Sequence, residues 1–284
     1  MTKKNHPPAM HETQLGFSLI EIAIVLVIVA VLISIVAVPL STQVESQRTN
    51  ETNKQLEQIK EAIYGFAMAN GRLPCPVVAT ATSERGLEPV PMLDGACPTF
   101  NGYLPAATLG LAPTDEKGYA QDAWNLTGNA PNIALRNLNR IRYAVFAAPV
   151  LPATACNGIA NPFTQPSTSG LRVATVDCLA GKTLLSVCSS APSGAPGAAT
   201  ECKAGTALTT NAPFVIFSNG KNAASNAANG TIGLDESHNA DADAYFVSHV
   251  ASPSGPGGGE FDDLVTWGSL PILFSRLVSV GKLP

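Results

Sequence analysis

The chain is 284 residues long and carries 17 Lys and Arg against 21 Asp and Glu, a formal net charge of −4. This acidic balance argues against a nucleic-acid binder, which needs a basic stripe to meet the phosphate backbone. The length suffices for one domain with a real hydrophobic core.

Residues 1–16 form a short polar leader with Lys3 and Lys4 near its start. The leader is the more basic part, so the chain after it is more acidic still. From Ile22 to Leu40 the sequence holds no formal charge. As a helix, these about nineteen residues span roughly 28 Å, close to the hydrocarbon thickness of a bilayer. The run is rich in β-branched residues, but its length favours a transmembrane helix over 17–40 rather than a buried strand. The basic leader keeps the N-terminus cytoplasmic. A cleaved secretory signal would need small residues after the apolar run. Pro39 follows Val38 instead, with no A-x-A site. Glu21 stands at the head of the run, where an acid is costly unless it finds a cation or snorkels to the headgroups.

Gly16-Phe17-Ser18-Leu19-Ile20-Glu21, followed by the apolar run, resembles the prepilin processing site of type IV pilins and type II secretion pseudopilins. The resemblance is good to between Asn50 and Asn70 and weak beyond. It implies cleavage after Gly16 by a prepilin peptidase, N-methylation of Phe17 and an assembly role for Glu21. The α-amine of Phe17 is charged below a pKa of about 7.7–8.0 and would pair with Glu21 of an adjacent subunit. Such a heterologous contact does not close, so it builds a fibre rather than a ring.

Pro39 removes one backbone bond and predicts a kink. Residues 41–70 turn polar, and Leu56, Ile59, Ile63, Phe66 and Ala67 then mark one face of an amphipathic helix. Asn70-Gly71 and Pro74 should end it. One helix is therefore expected from about Phe17 to Asn70, with a globular head over 71–284. Strand-like runs are 142–147, 171–176, 183–188, 213–218 and 245–250. Residues 189–200 and 251–259 read as mobile connectors. The order of elements predicts an α+β fold: a long N-terminal transmembrane helix on a small antiparallel sheet, in a loop-rich, disulfide-bonded head.

Cys75, Cys97, Cys156, Cys178, Cys188 and Cys202 all follow the apolar run, and an even set reads as disulfides in an oxidising periplasm. Fifteen pairings are open. Local bridges are preferred, Cys75 with Cys97 first, contributing about 3 kcal/mol in the chain-entropy picture. No C-x-x-C spacing supports structural zinc, and few basic neighbours activate a thiol.

Arg136, Arg140 and Arg142 form the one basic cluster, interleaved with Ile133, Leu135 and Leu138, which predicts a helix with a solvated basic face. Two acidic patches follow: Asp235, Glu236, Asp241 and Asp243, then Glu260, Asp262 and Asp263. Hard cations take several oxygen ligands on flexible loops. Residues 218–222, with 261–267 later, loosely resemble the calcium loop of major pseudopilins, which implies Asp262 or Asp263 as calcium ligands. The insertion between these segments is longer here, and ordinary surface carboxylates are the alternative. Phe261, Leu264 and Trp267 recur at helical spacing and anchor into the head core, and the apolar 272–280 tail docks as well.

No G-x-S-x-G elbow, H-E-x-x-H or P-loop is present, and Ser248-His249 is no triad, so an enzyme is not expected. The resemblance implies a pseudopilin or minor pilin in a type II secretion pseudopilus or type IV pilus. No cofactor is required beyond the calcium considered above. The implied partners are the prepilin peptidase, other pilin subunits, the inner-membrane assembly platform and the lipid bilayer. The expected location is the bacterial inner membrane, single-pass, with the head periplasmic, and the filament after assembly. The alternative is a filament-tip module that binds a secreted substrate, a surface or DNA. A third reading is an anchored periplasmic enzyme.

Overall fold

The computed structural model describes residues 18–78, 85–89, 95–124, 138–147, 156–166, 168–223, 233–241, 243–254 and 259–283, without the side chains of 34–41. Gly16 and Phe17, the expected processing pair, lie outside them, as does Arg136. The chain divides into two units, Met1–Gln47 and Arg48–Pro284. Helix α1 (Leu19–Asn70) runs through Pro39 and contains the unit boundary.

In the first unit, the apolar side chains from Leu19 to Ile33 are exposed, from 43 % at Val29 to 92 % at Leu19. Among the described residues no helix is long and apolar enough to cross a membrane. This overturns both the transmembrane helix expected over 17–40 and the single-pass inner-membrane placement. The helix is not apolar enough: Glu21 stands in its first turn, and from Ser41 on its residues are largely polar.

The second unit is built on the last turns of α1. Thr52, Leu56, Ile59, Ile63 and Ala67 are buried there at steps of three and four, which put them on one face, with Tyr64 buried beside Ile63. Phe66 is half-buried, with the Arg72 guanidinium 5.4 Å from its ring centre. Gly71, at φ +69°, closes the helix, its N–H donating to the Ala67 carbonyl at 2.7 Å.

The elements that follow are β1 (Asn101–Tyr103), β2 (Arg142–Val145), α2 (Leu171–Ala174), α3 (Val176–Ala180), β3 (Leu185–Cys188), β4 (Ala207–Ala212) and β5 (Phe214–Ser218). Then come α4 (Leu234–Ala240), β6 (Tyr245–Val247), β7 (Leu264–Trp267) and α5 (Leu270–Ser279). They form two sheets rather than the single one expected. One is antiparallel in the order β1-β2-β5-β7; the other is β4-β3-β6, in which β3 and β6 run parallel. The fold is mixed α/β with three disulfides.

Strand β5 explains the layering. All five of its residues are buried, as befits a strand covered on both faces. Phe214 and Phe217 point to opposite sides because side chains alternate along a strand. Phe214 meets Tyr64 of α1 edge-on at 5.4 Å, and Phe217 meets Phe246 of β6 at 5.7 Å. The head sheet is thus held between the helix and the second sheet. Helix α5 adds Leu270, Leu273 and Leu277 to the core, and the Ser269 N–H donates to Tyr64 Oη at 2.8 Å.

The cysteines pair in chain order: Cys75–Cys97, Cys156–Cys178 and Cys188–Cys202. Three sequence readings give way. Residues 171–176 belong to α2 and α3, separated by Thr175 at φ +59°, and are not a strand. Residues 264–267 are strand β7, paired with β5, despite their helical spacing. Arg140 and Arg142 do not share a solvated helix face. Arg140 is 6 % exposed, ion-paired with Asp115 at 2.6 Å and stacked on Tyr119. Arg142 lies on β2, where its Nη2 donates to Asn101 Oδ1 and burial lowers its pKa.

Candidate metal centre

The two sequence segments that carry the calcium resemblance are neighbours in the fold. Strand β5 ends at Ser218, which pairs with Leu264 at the start of β7. The turn after β5 therefore faces the Asp262-Asp263 pair before β7. Gly220 sits in that turn at φ +66°, and a Cβ there would fall 2.1 Å from Asp262 Oδ1 and 2.5 Å from the Asp262 carbonyl oxygen. Only glycine allows this approach. The Asn222 N–H then donates to Asp262 Oδ2 at 3.0 Å.

Helix α4 supplies the third carboxylate. Glu236, 3 % exposed, accepts at Oε1 from Asn222 Nδ2 at 2.8 Å and from the Asp262 N–H at 3.0 Å. Asp263, 5 % exposed, accepts from Asn239 Nδ2 at 2.8 Å. That amide is fixed in turn by the Val247 backbone, donating to its carbonyl and accepting from its N–H. One oxygen from each of Glu236, Asp262 and Asp263 lies within 4.8 Å of the others. Asp262 Oδ1 is buried without a hydrogen bond.

Three carboxylates this close cannot all stay charged in a low-dielectric setting without compensation. Burial, then the charge of Glu236, pushes Asp262 up to about 7, against the opposing Asn222 N–H. The same two causes, burial first, push Asp263 well above the ordinary carboxylate range. Either protons or a cation must neutralise the cluster. The donor set is all oxygen, which suits a hard ion such as calcium.

The sequence singled out Asp262 and Asp263 and the 218–222 turn, but it put Glu236 in a separate acidic patch. That patch is split by the fold. Asp235 turns away, accepting from the Ala191 N–H at 2.6 Å and approaching His249 Nε2 at 3.2 Å. Asp241 and Asp243 lie at the other end of α4 and are treated below. Glu260 is exposed and outside the cluster. The spacing of α4 alone held the clue, because Glu236 and Asn239, at i and i+3, share a face and serve the same pair of aspartates.

Glu21 lies in the first turn of α1 and is exposed, with its N–H donating to the Ser18 carbonyl at 3.0 Å. It is remote in sequence from the carboxylate cluster and belongs to the first unit. Comparison with protein-family models, curated proteins and solved structures finds no match.

Proposed function

We propose that this chain is a pilin-like structural subunit, cut after Gly16 and assembled through the first half of α1 into a filament of the pseudopilus or pilus type. The observation that carries this reading is the exposure of the apolar side chains from Leu19 to Ile33 around the whole helix. Positions 19, 20, 22, 24–29 and 31–33 step round the helix axis at 100° each and leave no polar face. Burying one such side chain is worth about 1.5–3 kcal/mol, so the helix gains from any partner that covers it all round. A bundle of the same segment from other copies does so, with small Ala23 and Ala30 for close approach.

Glu21 is the one described charge in that segment. The freed Phe17 amine of a neighbouring copy is its natural partner, and the pair fixes the stagger between copies. The head is hardened by three disulfides. Calcium at Glu236, Asp262 and Asp263 would tie the β5–α4 turn to β7 in the same spirit.

Intact-mass and N-terminal analysis of the chain expressed with and without a prepilin peptidase tests the reading. It requires a chain that starts at methylated Phe17 only with the peptidase, and filaments that Glu21→Ala abolishes. A chain that keeps Met1 in both cases ends it.

A further inference from the structure

A second donor cluster lies at the far end of α4. His238 sits in its last turn, Asp241 is the C-cap, and Asp243 leads into β6. Two residues along a helix turn about 200°, so His238 and Glu236 point to opposite sides of α4. The two clusters are therefore separate.

His238 is 0 % exposed, and neither Nδ1 nor Nε2 has a hydrogen-bond partner. A buried imidazole left in this way is rare in a folded protein and asks for an explanation. Its Nδ1 points at Asp241 and lies 3.4 Å from Oδ2. One ring nitrogen of His238 and one oxygen each of Asp241 and Asp243 lie within 4.8 Å of one another.

The carboxylates are held from behind. Asp241 Oδ1 accepts from the Asp243 N–H at 2.8 Å, and its Oδ2 from the Gly197 N–H at 2.7 Å. Asp243 Oδ1 accepts from the Tyr245 N–H and its Oδ2 from the Ala199 N–H, both at 2.9 Å. Each oxygen keeps a second lone pair. Burial, and after its backbone hydrogen bonds the charge of Asp243, act on Asp241, whose pKa is raised.

We propose that His238, Asp241 and Asp243 bind a divalent transition-metal ion of the zinc class, with water completing the shell. An imidazole nitrogen beside two carboxylates is a borderline donor set and favours such an ion over calcium. At ligand distances of about 2.0–2.2 Å, a tetrahedral site has edges of about 3.4 Å, the separation seen between His238 Nδ1 and Asp241 Oδ2. The ion supplies the partner that the buried ring lacks. It also clamps the 197–199 loop onto the α4–β6 turn. This site is independent of the filament reading and of the all-oxygen cluster.

The test uses the full chain, stripped with chelator and titrated with Co2+ in excess Ca2+, followed by its visible d–d band. The expected result is one Co2+ per chain, displaced by Zn2+. His238→Gln and Asp241→Asn should each weaken binding by at least about tenfold, the scale on which even outer-shell partners act. Asp262→Asn should leave it unchanged. Ring nitrogen shifts on adding Zn2+ to the unmutated chain need no variant, and they should move at His238. No d–d band, a band indifferent to His238→Gln, or shifts at His6, His11 or His249 in place of His238 would overturn the proposal.

Discussion

The two ends of α1 obey the same helical geometry and have opposite fates. Between Leu19 and Ile33 the apolar side chains surround the helix and remain exposed; between Thr52 and Ala67 they keep to one face and are buried. The second half finds its cover within its own chain, where Tyr64 meets Phe214 and Ser269. The first half has no cover among the described residues. A stripe is what a helix needs to dock on a domain, and an apolar sheath is what it needs to be surrounded. One helix here carries both patterns in sequence.

Ile63→Ala is the strongest way to probe this contrast. Ile63 is 0 % exposed, and its truncation should cost about 2–5 kcal/mol in urea unfolding of the oxidised chain in mild detergent. A loss under about 1 kcal/mol would mean that α1 is not part of the head core. Tyr64→Phe comes next. It removes the acceptor for the Ser269 N–H and should cost about 1–2 kcal/mol, with the Phe214 ring contact kept.

The third prediction separates the halves by pH. Asp262 is raised from its ordinary value to about 7, so below the ordinary value its contribution to stability is fully present. That contribution is lost as pH rises toward 7, because the folded state binds more protons in this window. Metal-free protein should therefore lose a few degrees of Tm between pH 4 and 7, at about 2–4 °C per kcal/mol. Calcium should restore much of it at pH 7, and Asp262→Asn should flatten the profile. The fall should be read on head unfolding.

The smallest effect completes the comparison. Ile24→Ala, at a position 55 % exposed, should change head stability by less than about 0.5 kcal/mol while weakening filament assembly. A large loss of head stability would show that the two halves are coupled.

Much of the head could be read from apolar runs and periodicity. The stripe on α1 and strands β2, β3, β5 and β6 announce themselves in this way. What escaped was decided by tertiary contacts. Residues 171–176 offer β-branched Val173, Thr175 and Val176, yet the buried positions are Leu171, Ala174 and Leu179, and burial overrode propensity. Strand β7 hides because Leu264 and Trp267 fall at a helical interval while Val265 and Thr266 pair with Phe217 and Ile216. Strand β4 mixes Thr209, Thr210 and Asn211 with Ala207, Leu208 and Ala212, and only Ala212 is buried, so no alternation betrays it. At the candidate metal centre, Asp262 and Asp263 were singled out by the loose resemblance of residues 218–222 and 261–267 to a calcium loop. Glu236 and the Asp241–Asp243 pair were not, because only the placement of α4 assigns them to different clusters. The membrane span was inferred from the uncharged run alone, whereas the helix that contains it carries Glu21 in its first turn and turns polar from Ser41 on.

The sequential order of the disulfides reaches beyond static stability. Each bridge closes its own loop, 22, 22 and 14 residues apart in sequence, and no loop encloses a cysteine of another. A chain delivered from its N-terminus can complete each bridge before the next pair arrives. In that order of arrival the cysteine still free is always the right partner, although Cys178 and Cys188 lie closer in sequence than any native pair. The head can thus be locked from its N-terminal end onward, with little need for shuffling.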